Sequence, residues 1–80
     1  MPRYYFIVHD EYGDAPDSEG AELTGVEAAM LHAAAGARSM MSDSIRSAHA
    51  LDLGAYIDIE DADRARVTRL GFAEAIKIRD

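Results

Sequence analysis

The chain has 80 residues, 15 acidic and eight basic side chains, a net charge of −7 and no cysteine. This length fits one domain, which buries only about 60% of its unfolded surface, and the missing cysteines exclude disulfides and thiolate metal sites. The acidic balance disfavours a purely electrostatic nucleic-acid binder. Neither a secretory signal nor a membrane span is visible, so we expect a cytoplasmic protein.

A first strand is predicted over Arg3–His9, where aromatic and β-branched residues are concentrated. Successive side chains of a strand point to opposite faces, so a half-buried strand alternates apolar and polar residues. Here five apolar residues follow one another without a break, and both faces therefore suit burial. The face that we assign to the core carries Tyr4, Phe6 and Val8, and the outer face carries Tyr5, Ile7 and His9.

The next segment, Asp10–Leu23, is rich in turn residues, with Gly13, Pro16 and Gly20 among Asp and Ser. A short second strand is predicted near Ser18–Leu23. Six carboxylates fall within residues 10–22, a density that fits either a cation site or a solvated acidic turn. Their spacing does not match the calcium-binding loop of a helix-loop-helix motif, so the solvated turn is preferred and no metal site is predicted.

A long helix is predicted over Gly25–His49, because apolar residues recur there at spacings of three and four. Thr24 and Glu27 match a capping box, in which each side chain bonds the backbone N–H of the other residue. The middle of this helix, Ala33–Ala37, is unusually small. Such a surface suits close packing on the chain's own sheet or, alternatively, on the helix of a second copy.

The predicted helix is about 37 Å long at 1.5 Å per residue, whereas the first strand spans about 23 Å. One end of the helix must therefore overhang the sheet, bend or break. Ser42–Ser44 is the expected weak point, because short polar side chains compete for backbone hydrogen bonds. We expect the helix to stop by Leu53-Gly54, where Gly54 can turn the chain.

Two further strands are predicted at Ala55–Glu60 and Ala65–Phe72, with Ile57 and Ile59 facing inward. A two-residue loop at Ala62-Asp63 would set their register. That register places two pairs of residues opposite each other, Ile57 with Thr68 and, as a cation–π pair on the outer face, Tyr56 with Arg69. The tail Ala73–Lys77 is predicted to form one helical turn with Ala75 and Ile76 packed inward.

These elements predict one α+β domain over residues 1–80, a small antiparallel sheet in ββαββ order with one long helix packed on one face. Several stretches also resemble a family of small bacterial proteins of unknown function, namely MPRYYFIV, DSEGAEL, EAA, IDIED and GFAEAI. Members of that family typically begin with a Pro-Arg-Tyr-aromatic strand. The likeness spans nearly the whole chain, and it implies no catalytic residue.

Two positions depart from the family's pattern. Arg64 stands where the hairpin turn commonly has Gly, and Ile7 stands where a polar residue is common. The second departure makes the outer face of this sheet more apolar. A fold-level likeness to HicB-type antitoxin domains rests on Thr24–Ala29 and on the order of the elements, and it implies no function.

No set of residues for catalysis or cofactor binding emerges from the sequence. His9, His32 and His49 are too scattered for a metal motif, and no cysteine completes a zinc set. The serines of the helix lack the G-x-S-x-G context of a nucleophile, and no glycine-rich phosphate loop occurs. We therefore predict that the protein is not an enzyme and needs no cofactor.

The outer sheet face is the preferred functional surface, because tyrosines with apolar neighbours are enriched at interfaces. We predict a non-enzymatic interaction module that forms a homodimer through this face, an edge strand or the small-residue helix. The alternative is an antitoxin-like or nucleic-acid-associated domain that uses Arg64, Arg66 and Arg69 of the last hairpin, within residues 64–80, where the net charge is +3. The predicted interface residues are Tyr5, Ile7, Tyr56, Val67 and Arg69.

Overall fold

The computed structural model describes residues 1–77. In it, five antiparallel strands form one sheet, and one α-helix covers one face of this sheet. The elements are β1 Arg3–Asp10, β2 Gly13–Ala15, β3 Ala21–Glu22, α1 Val26–Arg46, β4 Tyr56–Glu60, β5 Arg66–Gly71 and a final 3₁₀ turn, Phe72–Ala75. The strands lie in the order β2-β1-β4-β5, and β3 pairs with the other end of β1. The α+β fold with strands before and after one long helix is confirmed.

The acidic segment forms two short strands instead of the single one that was predicted. The predicted strand near Ser18–Leu23 is present as β3, and β2 precedes it. All three residues of β2 are exposed, so no apolar alternation marks this strand in the sequence. Asp17 lies between the two strands, and its Oδ2 accepts the Phe6 N–H at 3.0 Å. This hydrogen bond pairs a backbone N–H on the edge of β1, between the residues that pair with β2 and those that pair with β3.

The core lies between α1 and one face of β1, β4 and β5. Tyr4 is buried, and Phe6 and Val8 pack against the core, so the assignment of the two faces of β1 is confirmed. The helix presents small residues to the sheet, and its chain can therefore approach the strands closely. These small residues are Ala29, Ala33 and Ala37, each at most 2% exposed. Ala33 and Ala37 of the small segment are thus used within the chain, whereas Ala35 and Gly36 are exposed.

Both predicted ends of the helix are wrong. Gly25 occupies the N-cap position with extended backbone and no side-chain cap, so Thr24 lies one residue too early for a capping box. At the other end α1 stops at Arg46, without breaking at Ser42–Ser44. Ala48 adopts a left-handed backbone at φ 58°, and the N–H groups of Ala48 and His49 bond the carbonyls of Ile45 and Ser44. This Schellman arrangement ends the helix well before Gly54.

The β4–β5 hairpin has a longer turn than the predicted two-residue loop. The Asp61 carboxylate accepts the N–H groups of Asp63 at 2.9 Å and Ala65 at 3.1 Å, and it thereby organises a turn that reaches Ala65. The register prediction is consequently wrong by two residues. The observed pairs are Tyr56 with Gly71, Ile57 with Leu70, Asp58 with Arg69 and Ile59 with Thr68, with a bulge next to Glu60.

A shift of two residues keeps every side chain on its predicted face, because the period of a strand is two. Ile57, Ile59 and Leu70 are accordingly buried as expected. The C-terminal turn also agrees with the prediction, with Ala75 buried and Ile76 packed against the core. Arg38 on α1 donates to the Ala75 carbonyl at 3.1 Å, which ties this turn to the helix. Within residues 1–77, α1 is not apolar enough over its length to cross a bilayer.

Candidate functional site

The side chains of β1, β4 and β5 that point away from α1 form a surface that we call the outer face. The pairings bring Ile7, Asp58 and Arg69 side by side across the three strands. Among the described residues, no helix or further strand of the chain packs on this surface. The outer face is therefore the open side of the sheet, as the sequence predicted.

Asp58 is the centre of the outer face and is 9% exposed. Arg69 binds both of its carboxylate oxygens, through Nε to Oδ1 at 2.6 Å and through Nη2 to Oδ2 at 3.2 Å. His9 Nε2 lies 3.0 Å from Oδ2, and Arg66 Nη1 lies 3.8 Å from Oδ1. The hydrogen bond from Arg69 lowers the pKa of Asp58 below 3.8 against the opposing effect of burial, with smaller contributions from the charges of Arg69, His9 and Arg66. The carboxylate is thus held in its charged form.

Tyr56 links the two partners of this carboxylate, His9 and Arg69, and completes a cluster of four side chains. The His9 ring stacks on Tyr56 with centroids 4.7 Å apart and an interplanar angle of 21°. The Arg69 guanidinium carbon lies 4.1 Å from the Tyr56 centroid on the same face of the sheet. The predicted cation–π pair is therefore present, although Tyr56 and Arg69 are diagonal neighbours and not opposite each other. We call Asp58, Arg69, Tyr56 and His9 the quartet.

His9 also extends the quartet toward the acidic segment, because its Nδ1 contacts Asp14 Oδ1 on β2. His9 therefore lies between two carboxylates, Asp58 on β4 and Asp14 on β2. In the described part of the chain, no group of three His, Asp or Glu side chains is arranged to hold a metal ion.

Tyr5 forms a second aromatic site on the outer face. The Arg64 guanidinium carbon lies 3.5 Å from the centroid of its ring. Arg64 Nη1 also donates to the Asp17 carbonyl at 2.9 Å and lies 3.5 Å from Glu60 Oε1. Gly20, at φ 68°, leaves room for the Tyr5 ring, because an added Cβ would stand 3.0 Å from two of its carbons. Arg64 thus joins the β4–β5 turn to the acidic segment across Tyr5.

Asp17 secures the segment that Arg64 reaches. Its carboxylate accepts three backbone N–H groups, from Phe6 at 3.0 Å, Gly20 at 3.0 Å and Glu19 at 3.2 Å. Desolvation raises the pKa of Asp17, but these three hydrogen bonds and the charge of Arg64 outweigh it and lower the pKa below 3.8. This carboxylate of the acidic segment is therefore a structural acceptor.

The structure places the five predicted interface residues on neighbouring strands. Tyr5 and Ile7 on β1 and Tyr56 on β4 are partly exposed, and Arg69 on β5 is exposed. Val67 is 40% exposed and lies beside the β-bulge. Sequence reasoning missed the central role of Asp58. The sequence signal for Asp58 is a lone carboxylate between two isoleucines in the stretch IDI. Its partner, Arg69, can be identified only when the correct register is known.

The comparisons with known proteins identify a family and no function. A family model described as "Domain of unknown function (DUF6894)" matches residues 3–73. The search of curated proteins and the search of solved structures each found no match. The match covers every strand and the whole of α1, whereas the likeness to HicB-type antitoxin domains stays a prediction.

Proposed function

The chain belongs to the DUF6894 family, and from that premise we propose that it is a non-enzymatic interaction module that forms a homodimer through its outer face. The observation that carries the proposal is the pair of arginine–tyrosine stacks on an open sheet face, Arg64 on Tyr5 and Arg69 on Tyr56. Tyrosine and arginine are the residues most often found at the energetic centre of protein interfaces. Both stacks are already ordered in the single chain, which lowers the entropy cost of binding.

The charges of the outer face suit a second copy of the same chain. Arg66 is about half exposed, and its contact with the Asp58 carboxylate is long, at 3.8 Å. Its guanidinium group can therefore bind another acceptor. Asp14 is also largely exposed. In a twofold interface each surface contacts the same surface of the second chain. A surface with both positive and negative charges can therefore pair a cation of one chain with a carboxylate of the other. Ile7 supplies the apolar contact, and because it is already partly buried in the single chain, its burial in the dimer contributes less than the roughly 1.5–3 kcal/mol of a fully exposed side chain.

The two other routes to a dimer have less support. Three of the small side chains of α1, those of Ala29, Ala33 and Ala37, are buried against the sheet. The free edge of β5 carries Arg66, Arg69 and a β-bulge, which are features that protect an edge strand from pairing. The outer face is therefore the preferred interface.

The test is the mass of the protein in solution across a dilution series, measured by sedimentation. We expect a dimer for the natural sequence and a monomer of unchanged circular dichroism for Ile7→Lys. Ile45→Lys is the matched control, because Ile45 is 64% exposed on α1 and not on the outer face, and this variant should remain dimeric. Arg66→Gln tests the charge pairing at an exposed position without adding a second negative charge beside Asp58, and we expect it to weaken the dimer. A natural protein that is monomeric at every concentration would overturn the proposal.

The alternative function is nucleic-acid association through Arg64, Arg66 and Arg69. It is less favoured, because each of these guanidinium groups lies within 4 Å of a carboxylate of the same chain. Phosphate binding would have to compete with those contacts. A mobility shift on mixed nucleic acid that weakens with salt would support this alternative, and the absence of a shift at low salt would exclude it.

A further inference from the structure

A cavity of about 530 Å³ opens at the C-terminal end of α1, apart from the quartet and the arginine–tyrosine stacks. It lies between the helix, the β1–β2 turn and residues 47–55. Its floor consists of apolar core side chains, with Met41 5%, Phe72 6% and Ala55 2% exposed. A concave site of this volume with an apolar floor is typical of a pocket for a small organic molecule.

The rim of the cavity is acidic. Asp10, Glu11 and Asp52 line it, and neither lysine nor arginine does so among the described residues. Tyr12, Ser44 and His49 complete the polar part of the lining. An anionic ligand would meet three carboxylates with no lysine or arginine in the lining to compensate them, whereas a cation is attracted by all three.

Backbone hydrogen bonds hold two of these carboxylates in place. Asp52 accepts the Gly54 N–H through Oδ1 at 2.9 Å and the Glu11 N–H through Oδ2 at 3.3 Å. The second bond joins residues 41 apart in sequence and links the two walls of the mouth. Asp10 accepts the Tyr12 N–H at 2.8 Å. A carboxylate has about four acceptor sites, so both groups can accept further bonds from a ligand.

We propose that this cavity binds a small organic cation, an ammonium group carried on an apolar and preferably aromatic body. The ammonium group lies among the three rim carboxylates, and the body enters between Met41 and Phe72. Thioether side chains adapt to ligands of different shape and make favourable contacts with aromatic rings, and both Met40 and Met41 line the cavity. The Tyr12 ring offers a π-face to a cation at the mouth.

The probe is 2-phenylethylammonium, titrated into the full chain and followed by the amide shifts of a ¹⁵N–¹H spectrum. Its neutral isostere, 2-phenylethanol, and the anion phenylacetate are titrated in parallel. We expect saturable shifts with the ammonium at amides that line the cavity, weaker binding of the alcohol and no binding of phenylacetate. Equal midpoints for all three probes would overturn the proposal, as would an absence of lining shifts at millimolar ammonium.

Glu11→Gln tests the contribution of the rim charge. The backbone N–H of Glu11, and not its carboxylate, bonds Asp52, so the variant leaves the turn intact. We expect 2-phenylethylammonium to bind this variant about two- to five-fold more weakly, the effect of one partly exposed charge. Glu19→Gln makes the same change elsewhere in the acidic segment and should leave the affinity unaltered. An equal loss in both variants would indicate attraction by the net charge alone and would overturn the site.

Discussion

The Arg64 guanidinium carbon lies 3.5 Å from the centroid of the Tyr5 ring although the Arg64 backbone is left-handed, with φ 66°. A residue with a Cβ loses about 1–2 kcal/mol in that conformation, which glycine adopts freely. The side chain offsets this cost through the Tyr5 ring, the Asp17 carbonyl and Glu60. Arginine can therefore stand at a turn position where the sequence resemblance leads one to expect glycine.

Arg64→Gly and Arg64→Ala separate these two effects. Both variants lose the stack and the bond to Asp17, but only the alanine variant keeps the strained backbone. We expect Arg64→Gly to be about 1 kcal/mol more stable than Arg64→Ala in urea unfolding, with the natural protein at least as stable as the glycine variant. An alanine variant that equals the glycine variant would show that the turn relaxes without arginine.

A double-mutant cycle measures the coupling of Asp58 to Arg69. Arg69→Met leaves a nearly buried carboxylate without its main donor, and Asp58→Asn removes the charge but retains the shape. We expect Asp58→Asn to lose about 2 kcal/mol of the free energy of unfolding and Arg69→Met also to be destabilised, with a loss in the double variant smaller than the sum of the two. Additive losses would mean that His9 and Arg66 replace Arg69 as partners of the carboxylate.

Acid should destabilise the protein through Asp58 and Asp17. Each has a pKa in the folded protein below its ordinary value, Asp58 because of Arg69 and Asp17 because backbone hydrogen bonds outweigh desolvation. Such a group contributes stability above its unfolded pKa of about 3.9, and this stability is lost as the pH falls through the folded pKa. Urea midpoints should therefore decrease between about pH 5 and pH 2. Asp58→Asn should show a smaller decrease, and parallel curves would contradict the role of Asp58.

Ala48→Gly should stabilise the end of α1. Ala48 is the left-handed residue of the Schellman arrangement, at φ 58°, where glycine removes the steric cost of the Cβ. We expect a gain of about 1 kcal/mol in thermal unfolding. The matched control, Ala35→Gly, lies at an exposed position within α1 and should lose about 1 kcal/mol. A lower stability of Ala48→Gly would show that the extra backbone freedom of glycine in the unfolded state outweighs the relief of strain in the folded state.

Much of the fold could be predicted because the apolar periods are local. The apolar run of Tyr4–Val8 and the alternation over Tyr56–Glu60 identified two strands with their inward faces, and the spacings of three and four identified α1. These faces remained correct even where the hairpin register was wrong, because a shift of two residues preserves them. The helix ends were less predictable, since a cap depends on one backbone angle and Gly25 displaced Thr24 from its position.

The contacts within the quartet could not be predicted from local apolar periods, as the strands and the helix were. The sequence placed Tyr56 and Arg69 on one face, but the partner of Asp58 depends on the length of a turn that the Asp61 side chain organises. His9 and Asp58 approach only because β1 and β4 are neighbours in the sheet. The sequence likewise indicated an unusually apolar outer surface, yet it did not show that Arg64 would cover Tyr5.

By itself, the amino-acid sequence determined the α+β class, the inward faces of the main strands and the small surface by which α1 packs on them. Side-chain periodicity carries that information residue by residue. Only the tertiary structure decided which charges meet on the open face and which carboxylates surround the cavity. Those contacts join segments tens of residues apart, and strand order and turn length, which bring them together, follow from the packing of the whole chain.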